Sequence, residues 1–349
     1  MTAAKKTALV VAPGRGTYGK GELGSIARLH GARFGDIIAR FDAQRRERGQ
    51  PTVSELDGAD RFSVATHMRG DVAAPLIYTA TLLDWLSIDR DRYDIVAVAG
   101  NSMGWYSALA LGGAVSVEDG FRIANAMGLN SQTHGPGGQI LVQIVDEDWR
   151  PVPGLRASLL ALVADIAARP GHALALSIDL AGMLVLAGNE EGLAALLAEA
   201  PPTPGRDPLR LAGHGPFHTP LMVGSSDKAK VELPPALFGM PDLPMVDGRG
   251  HIWRRFSSNP WGIWDYTFGH QILAPYDFAL SVAVAVREFA PDVVILPGPG
   301  DTLGGAIAQA LIGIEWQGIA GKGDFMARQA SDPILLSMGR AEQRALVTG

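Results

Sequence analysis

Three short apolar runs, each followed at once by a glycine-rich loop, constrain the fold of this chain more than any other feature. The runs are residues 7–12, 93–99 and 293–296, and the loops after them are residues 13–16, 100–104 and 297–300. Continuous apolar runs rich in β-branched residues are typical of strands buried on both faces of a parallel sheet. Helical spacing fills residues 21–50, 75–85, 105–113, 117–129 and 302–311. The sequence therefore predicts an α/β fold.

A second pattern lies between residues 139 and 212. Strand-like runs occupy 139–145, 173–178, 183–187 and 208–212, and helix-like segments occupy 154–168 and 190–199. The order β-α-β-β-α-β is typical of a split-βαβ or ferredoxin-like unit. We therefore expect a hydrolase-like parallel-sheet core formed by residues 1–138 and 213–349, with a ferredoxin-like subdomain of residues 139–212 inserted into it.

Composition excludes several classes of protein. Hydrophobic residues make up 47% of the 349 residues, which supplies a large core and excludes disorder. A net charge of −6 argues against a nucleic-acid partner. The chain has no cysteine, so disulfides, thiolate metal sites and a cysteine nucleophile are excluded. There is no run of 18 apolar residues, and the N-terminus resembles a strand more than a signal peptide, which predicts a cytoplasmic protein without a membrane partner.

The first glycine loop allows a dinucleotide-binding interpretation. Residues 14–19 match G-x-G-x-x-G directly after a strand. The acidic residue expected at the end of a second strand is missing, because the stretch that should carry it has helical spacing and Asp36 lies inside it. In a chain with 43 glycines the match is weak. A tight loop that brings backbone N–H groups close to another group is the better interpretation.

The second loop has the pattern of a nucleophile elbow. Gly100-Asn101-Ser102-Met103-Gly104 fits G-x-S-x-G, with an apolar strand before it and a helix after it. Small residues are needed on both sides of the serine because this turn is crowded. A serine that only caps the helix N-terminus is the alternative. The context favours Ser102 as a nucleophile.

A serine nucleophile needs a base, and the chain has eight histidines. His30 and His67 lie in charged segments that we expect at the surface, and His172 follows a turn. His214 and His218 share one loop rich in glycine and proline, and spacing alone does not choose between them. A metal site formed by these two is the rival interpretation, but no nearby carboxylate completes it.

Four landmarks along the chain together match one known pattern. P-G-R-G at residues 13–16 is similar to P-G-Q-G, and residues 100–109 are similar to G-H-S-[LM]-G-E-Y-S-A-L. Residues 215–222 resemble a segment with a catalytic histidine, and residues 298–300 match G-P-G. The chain thereby resembles the malonyl-CoA:acyl-carrier-protein transacylases and the acyltransferase domains of fatty-acid and polyketide synthases, which also carry an insertion between serine and histidine. An ordinary α/β-hydrolase, with an acid before a late histidine, fits worse.

This resemblance implies a serine acyltransferase that moves an acyl group from coenzyme A to the phosphopantetheine thiol of an acyl carrier protein. Ser102 would be the nucleophile and His218 its base. The backbone N–H groups of Arg15 and Met103 would form the oxyanion hole, and the main-chain carbonyl of Gln271 would orient the histidine in place of an acid. The resemblance implies acyl-CoA as substrate, and neither a cofactor nor a metal.

Four substrate-site positions depart from the family. Arg15 replaces a glutamine, Asn101 a histidine, Trp105 a glutamate, and Met127 the arginine that pairs with the malonyl carboxylate. Malonyl is the family default, but Met127 cannot neutralise a buried carboxylate, so a neutral acyl group is open. The Arg15 side chain faces solvent, which favours a neutral acyl group, or turns inward to form a bidentate pair with a carboxylate. We expect the solvent-facing conformation, because a tight glycine loop leaves few inward rotamers.

Two other functions stay open. One is hydrolysis of acyl thioesters on the same Ser-His dyad, if water reaches the acyl-enzyme. The other is a non-catalytic carrier-binding module, since pocket positions are altered. An acidic carrier would dock on a local basic patch, for which the candidates are Arg45, Arg46 and Arg48, or Arg206 and Arg210. The aromatic segment 253–264 is either core packing or a wall of the acyl pocket.

Overall fold

The computed structural model describes residues 4–133, 137–205 and 207–348. The strands in these ranges are β1 Lys6–Ala12, β2 Tyr93–Gly100, β3 Gly138–Gln143, β4 Leu174–Asp179, β5 Met183–Gly188, β6 Leu209–Arg210, β7 Met245–Val246, β8 Ile252–Trp253, β9 Tyr276–Asp277, β10 Val293–Leu296 and β11 Leu335–Ser337. The helices are α1 Ser25–Glu47, α2 Val53–Asp57, α3 Val64–His67, α4 Gly70–Ser87, α5 Gly104–Leu111, α6 Val117–Thr133, α7 Leu155–Ala167, α8 Glu190–Glu199, α9 Val223–Glu232, α10 Pro260–Phe268, α11 His270–Leu273, α12 Phe278–Phe289, α13 Gly304–Gly313, α14 Lys322–Ser331 and α15 Ala341–Thr348. No helix in the described ranges is both long and apolar enough to cross a membrane.

The larger sheet has six strands in the order β11-β10-β1-β2-β7-β8. All neighbouring pairs are parallel except β7 with β8. The three apolar runs of the sequence form β10, β1 and β2, which are adjacent, and residues 8–12 of β1 are fully buried. Because parallel strands end at the same edge of a sheet, their three glycine loops meet there. The predicted α/β architecture is confirmed.

The smaller sheet has five strands in the order β6-β3-β5-β4-β9. Its pairs are antiparallel except β4 with β9. The elements β3, α7, β4, β5, α8 and β6 follow one another in the order expected from the sequence. Strand β9, which lies outside residues 139–212, pairs with β4, so the smaller sheet has one strand more than the predicted insertion contributes. This pairing joins the smaller sheet to the segment just after Gln271.

Helix α4 begins five residues earlier than the sequence predicts and carries Pro75 inside it. A proline has no N–H to donate to the carbonyl four residues before it, here that of Asp71. The Arg45 guanidinium donates to that oxygen instead, over 3.0 Å, and also to Asn125 and Pro51. Arg45 is almost fully buried, at 1% exposure, so it stabilises the fold. Its assignment to a docking patch is therefore wrong.

Candidate active site

The elbow between β2 and α5 is built around close backbone packing. A Cβ on Gly100 would lie 2.3 Å from the carbonyl oxygen of Gly104, and a Cβ on Gly104 would lie 2.3 Å from that of Ala12. Neither position tolerates a side chain without a backbone shift. Ser102, between them, has φ of 52°, in the left-handed region that non-glycine residues seldom adopt. This conformation matches the strained turn expected of a nucleophile elbow.

The first glycine loop packs against this elbow. A Cβ on Gly14 would lie 2.6 Å from the carbonyl oxygen of Asn101, and the Asn101 N–H donates to Ala12 over 3.0 Å. In the part of the chain that the structure describes, the backbone N–H groups of Arg15 and Met103 find no hydrogen-bond acceptor. Both residues line the cavity beside the serine. Two free N–H groups here suit an oxyanion hole.

Ser102 and His218 are in direct contact. The serine Oγ lies 2.8 Å from His218 Nε2, and His218 Nδ1 lies 2.6 Å from the Gln271 carbonyl oxygen. A carbonyl only accepts, so Nδ1 carries the proton and Nε2 accepts from the serine hydroxyl. Burial lowers the pKa of His218 to about 4, against a smaller opposing effect of the Gln271 carbonyl. The imidazole is therefore neutral at neutral pH and can take a proton.

The Gln271 side chain adds contacts that sequence reasoning missed. Its Nε2 donates to the Ser102 carbonyl over 3.1 Å, and its Oε1 accepts from the Tyr106 hydroxyl over 3.1 Å. The Tyr276 hydroxyl donates to the Gly100 carbonyl over 2.5 Å. These hydrogen bonds join the elbow to Gln271, whose carbonyl contacts His218, in one network. Tyr106 was visible inside the elbow motif, whereas nothing in the sequence pointed to Tyr276.

A small cavity of about 60 Å³ adjoins the dyad. Its lining is mostly apolar and includes Arg15, Ala74, Ser102, Met103, Tyr106, Met127, Gly128, Ser131, Phe217, His218, Met222, Ser225, Gln271 and Ile272. A larger groove of about 540 Å³ also reaches Ser102 and is bordered by strands of the smaller sheet. The small cavity suits a short group bound to the serine, and the larger groove suits a longer chain that leads to it.

The Arg15 side chain turns inward, so the solvent-facing expectation is wrong. Its Nη2 donates to the carbonyl oxygens of Met68 and Gly213 over 2.6 and 2.8 Å, and its guanidinium carbon lies 5.3 Å from the centre of the Phe217 ring. These two carbonyls, far away in sequence, outweigh the local rotamer preference. The residue as a whole is partly exposed, yet Nε and Nη1 are buried. Burial lowers the pKa of Arg15 to about 10, so it stays a cation at neutral pH.

Comparison with known proteins places this geometry in context. No protein-family model matches the chain. A malonyl CoA-acyl carrier protein transacylase of Salmonella typhimurium is 26% identical over 174 residues, which are 50% of this chain and 54% of the relative. The solved malonyl-CoA:ACP transacylase of Synechocystis has a TM-score of 0.74 at 18% identity, covering 98% of this chain and 100% of that one. A malonyl-transacylase solved with a type II polyketide-synthase acyl-carrier protein has a TM-score of 0.73 at 19% identity, with 99% of each chain covered.

The chain resembles the malonyl-CoA:acyl-carrier-protein transacylases in sequence and in fold. This confirms the resemblance that the four sequence landmarks indicated. The chain spans about half the length of the curated transacylases it matches. The structural likeness, at under a quarter identity, concerns the fold.

The positions that depart from the transacylase pattern have different surroundings. Met127 lines the small cavity, and Asn101 lines the larger groove with a buried Oδ1 that has no partner among the described residues. Trp105 lines neither. It is fully buried, donates its indole N–H to Thr267 over 2.9 Å and packs edge-on against Tyr266. Its expected place in the substrate site is therefore wrong, since the indole points into the core.

Two histidines that we expected at the surface are buried. His30 is 3% exposed and its Nε2 lies 2.9 Å from an Asp84 carboxylate oxygen. His67 is 2% exposed and its Nε2 lies 3.3 Å from the Leu56 carbonyl. Average charge along a segment does not show which face of a helix is covered. His214 contacts Gln139 over 2.7 Å rather than the serine.

The remaining predictions concern the arginines proposed as a docking patch and the aromatic segment 253–264. Arg48 pairs with Glu232, Arg210 pairs with Glu190 and lines the groove, and Arg206 lies outside the described residues. Within the aromatic segment, Trp253 is buried and Trp261 is 60% exposed. Neither tryptophan lines the small cavity, so core packing is the better interpretation for Trp253. No three histidine or acidic side chains of the described ranges could together hold a metal ion.

Proposed function

We propose that this chain is an acyltransferase that moves an acyl group from coenzyme A to the phosphopantetheine thiol of an acyl carrier protein. The observation that carries the proposal is the 2.8 Å contact between Ser102 and a neutral His218 held by Gln271, beside a small, mostly apolar cavity. The proteins that the chain resembles are malonyl-CoA:acyl-carrier-protein transacylases, and this likeness supports a coenzyme A thioester as the donor and a carrier protein as the acceptor.

In the first half-reaction, Ser102 Oγ attacks the thioester carbonyl carbon and His218 Nε2 takes its proton. The negative charge that forms on the carbonyl oxygen is stabilised by the N–H groups of Arg15 and Met103. Collapse of this tetrahedral intermediate breaks the C–S bond, and the departing CoA sulfur takes the proton from His218. The acyl group is then an ester of Ser102.

In the second half-reaction, the carrier thiol gives its proton to His218 and attacks the ester carbonyl. The C–O bond to Ser102 breaks, and the serine recovers its proton from the histidine. The cavity of about 60 Å³ holds the acyl group while the groove of about 540 Å³ receives the pantetheine arm. Since CoA leaves before the carrier binds, the kinetics are ping-pong.

Intact mass spectrometry tests the proposal. Exposure to malonyl-CoA should add one malonyl group, the adduct should map to Ser102, and carrier protein should remove it as malonyl-carrier. Ser102→Ala should acquire no adduct while keeping its fold. Persistence of the adduct in that variant would exclude Ser102, and release of free malonate without carrier would indicate a hydrolase. If neither malonyl-CoA nor a neutral acyl-CoA leaves an adduct on the wild type, a binding module is indicated.

We also propose that residues 139–212 form an inserted ferredoxin-like subdomain in a hydrolase-like core of residues 1–138 and 213–349. Two observations support this division. The strands β6, β3, β5 and β4 are neighbours in that order. Twelve buried apolar residues of this segment form a cluster of their own, while Ile178, Leu180 and Val185 pack into the main core.

A further inference from the structure

The backbone of His218 is strained in the same way as that of Ser102. Its φ is 57°, in the left-handed region that non-glycine residues seldom adopt. Such a conformation persists only where the surrounding structure holds it. The hydrogen bond from Nδ1 to the Gln271 carbonyl holds the imidazole ring, but it does not fix the peptide group before the histidine. Other contacts must hold that peptide.

A chain of hydrogen bonds reaches this peptide from the smaller sheet. The Ser177 hydroxyl donates over 2.8 Å to the carbonyl of Phe217, the residue before His218. Gln139 Nε2 donates to Ser177 Oγ over 2.6 Å, and Gln139 Oε1 lies 2.7 Å from His214 Nδ1. Ser177 is fully buried and Gln139 is 1% exposed. The chain thus begins and ends in the loop that carries the base.

Each member of this chain orients the next one. An amide oxygen only accepts, so His214 Nδ1 donates to it and fixes which way the Gln139 amide points. The amide nitrogen then donates to the Ser177 oxygen. A hydroxyl has a single proton, and this arrangement directs it to the Phe217 carbonyl. Hydrogen bonds linked in this way strengthen one another in a buried site.

Ser177 has an unusual place in its strand. In the ladder between β4 and β5, Leu176 lies opposite Leu186 and Ile178 lies opposite Val185, so within these described strands Ser177 has no residue opposite it. An extra residue of this kind forms a β-bulge, which re-aims a side chain and is frequent beside active sites. Here the hydroxyl of the extra residue contacts the loop that carries the base.

The same strand also supports the carbonyl partner of the base. Residues 178–179 of β4 pair with residues 276–277 of β9, and β9 follows shortly after Gln271. The ring of Tyr276 lies 5.6 Å from the ring of His218. Strand β4 therefore contacts both the loop that carries the histidine and the segment that leads from its carbonyl partner.

We propose that Ser177, Gln139 and His214 are positioning residues for the base. By fixing the peptide before His218, they keep its Nε2 within hydrogen-bond distance of Ser102. The inference rests on the proposed function for the role of the histidine as base. Without the hydroxyl at position 177, the carbonyl before the histidine loses its donor. The left-handed backbone can then relax, which moves the imidazole away from the serine.

The test measures how fast Ser102 reacts with a fluorophosphonate, which labels a base-activated serine whatever its natural acyl group. The serine Oγ bonds to phosphorus, fluoride leaves, and His218 takes the serine proton. Intact mass followed over time gives the rate constant of labelling. Circular dichroism gives the folded fraction of each variant, by which that rate constant is corrected. A purely structural role would change the folded fraction and not the corrected rate constant.

Ser177→Ala should lower the corrected rate constant about 30-fold and change the half-saturating probe concentration less than about threefold, because Ser177 lines neither the cavity nor the groove. Ser177→Thr keeps the hydroxyl and should restore most of the rate. The matched control is Ser87→Ala, which removes a buried hydroxyl that donates to the Leu83 carbonyl within α4. This control should leave the rate constant unchanged.

A second variant tests whether the residues act as one chain. Gln139→Met should lower the rate constant about tenfold, because the Ser177 hydroxyl loses the donor that orients it. Since Gln139 acts through Ser177, the double variant should lose no more than Ser177→Ala alone, whereas independent effects would multiply.

Three outcomes would overturn the inference: an unchanged rate constant in folded Ser177→Ala, multiplied losses in the double variant, or no labelling of the wild type. The same series is repeated with malonyl-CoA and acetyl-CoA. If the fluorophosphonate rates follow the expected pattern but neither thioester acylates Ser102, the positioning role stands and the proposed function fails.

Discussion

The dependence of the acylation rate on pH in acid solution follows directly from the surroundings of His218. An unperturbed histidine has a pKa of 6.5, and burial lowers that of His218 to about 4. The base form of His218 should thus persist into acid solution. At pH 5.5 a histidine with the ordinary pKa would be only roughly 9% neutral, whereas His218 should be about 97% neutral.

The assay is the single-turnover rate of Ser102 acylation between pH 3.5 and 8, followed by rapid quench and mass. The rate should be nearly constant down to pH 5.5, reach half its plateau near pH 4 and then fall about tenfold per pH unit. Far-UV circular dichroism at each pH separates loss of the base from loss of the fold. A half-point near 6.5 in folded protein would refute the reasoning, because it would mean that burial does not act on His218.

The same depressed pKa affects stability. As pH falls below 6.5 the unfolded chain binds a proton at this histidine before the folded chain does, so the free energy of unfolding decreases. The contribution is complete above about pH 6.5 and lost as pH falls to about 4, and the difference corresponds to about 3 kcal/mol. Chemical denaturation of wild type and His218→Gln at pH 7.5 and 4.5 should show this extra loss in the wild type alone.

Three further predictions concern single residues. His218→Ala should lower the acylation rate about 1,000-fold or more. His214→Ala should lower this rate much less, because His214 contacts Gln139 and not the serine. A larger loss of rate from His214→Ala would exclude His218 as the base. Gly104→Ala should lower the free energy of unfolding by about 2 kcal/mol or more, because the added Cβ would meet the carbonyl oxygen of Ala12 in β1. The matched variant Gly305→Ala, at a position of α13 with open space around it, should raise the free energy of unfolding by about 0.5 kcal/mol. Equal effects of the two substitutions in urea titrations would contradict the packing argument. Arg45→Met should lower the free energy of unfolding by about 3 kcal/mol, because it removes the donors to the buried Asn125 amide oxygen and to the partly buried Asp71 and Pro51 carbonyls. A change under about 0.5 kcal/mol would contradict a stabilising role for Arg45.

Local patterns in the sequence predicted the central strands and the elbow that carries Ser102. A buried strand, glycines and the start of a helix all lie close to Ser102 in the sequence. The elbow could be predicted from them because its strained conformation depends on the residues next to it. The same holds for β10 and α8, whose bounds the sequence predicts without error. His218 lies 116 residues from Ser102, and Gln271 lies 53 residues from His218. Local patterns did not single out these two residues, which were predicted only through the resemblance to a family.

The tertiary structure alone decided where side chains point. Arg15 turns inward because the carbonyls of Met68 and Gly213, which lie 53 and 198 residues away, come together beside it. The indole of Trp105 enters the core because Thr267 accepts its N–H. His30 is buried because Asp84 faces it from another helix. Each outcome depends on a partner distant in sequence, and local spacing carries no information about where such a partner will lie.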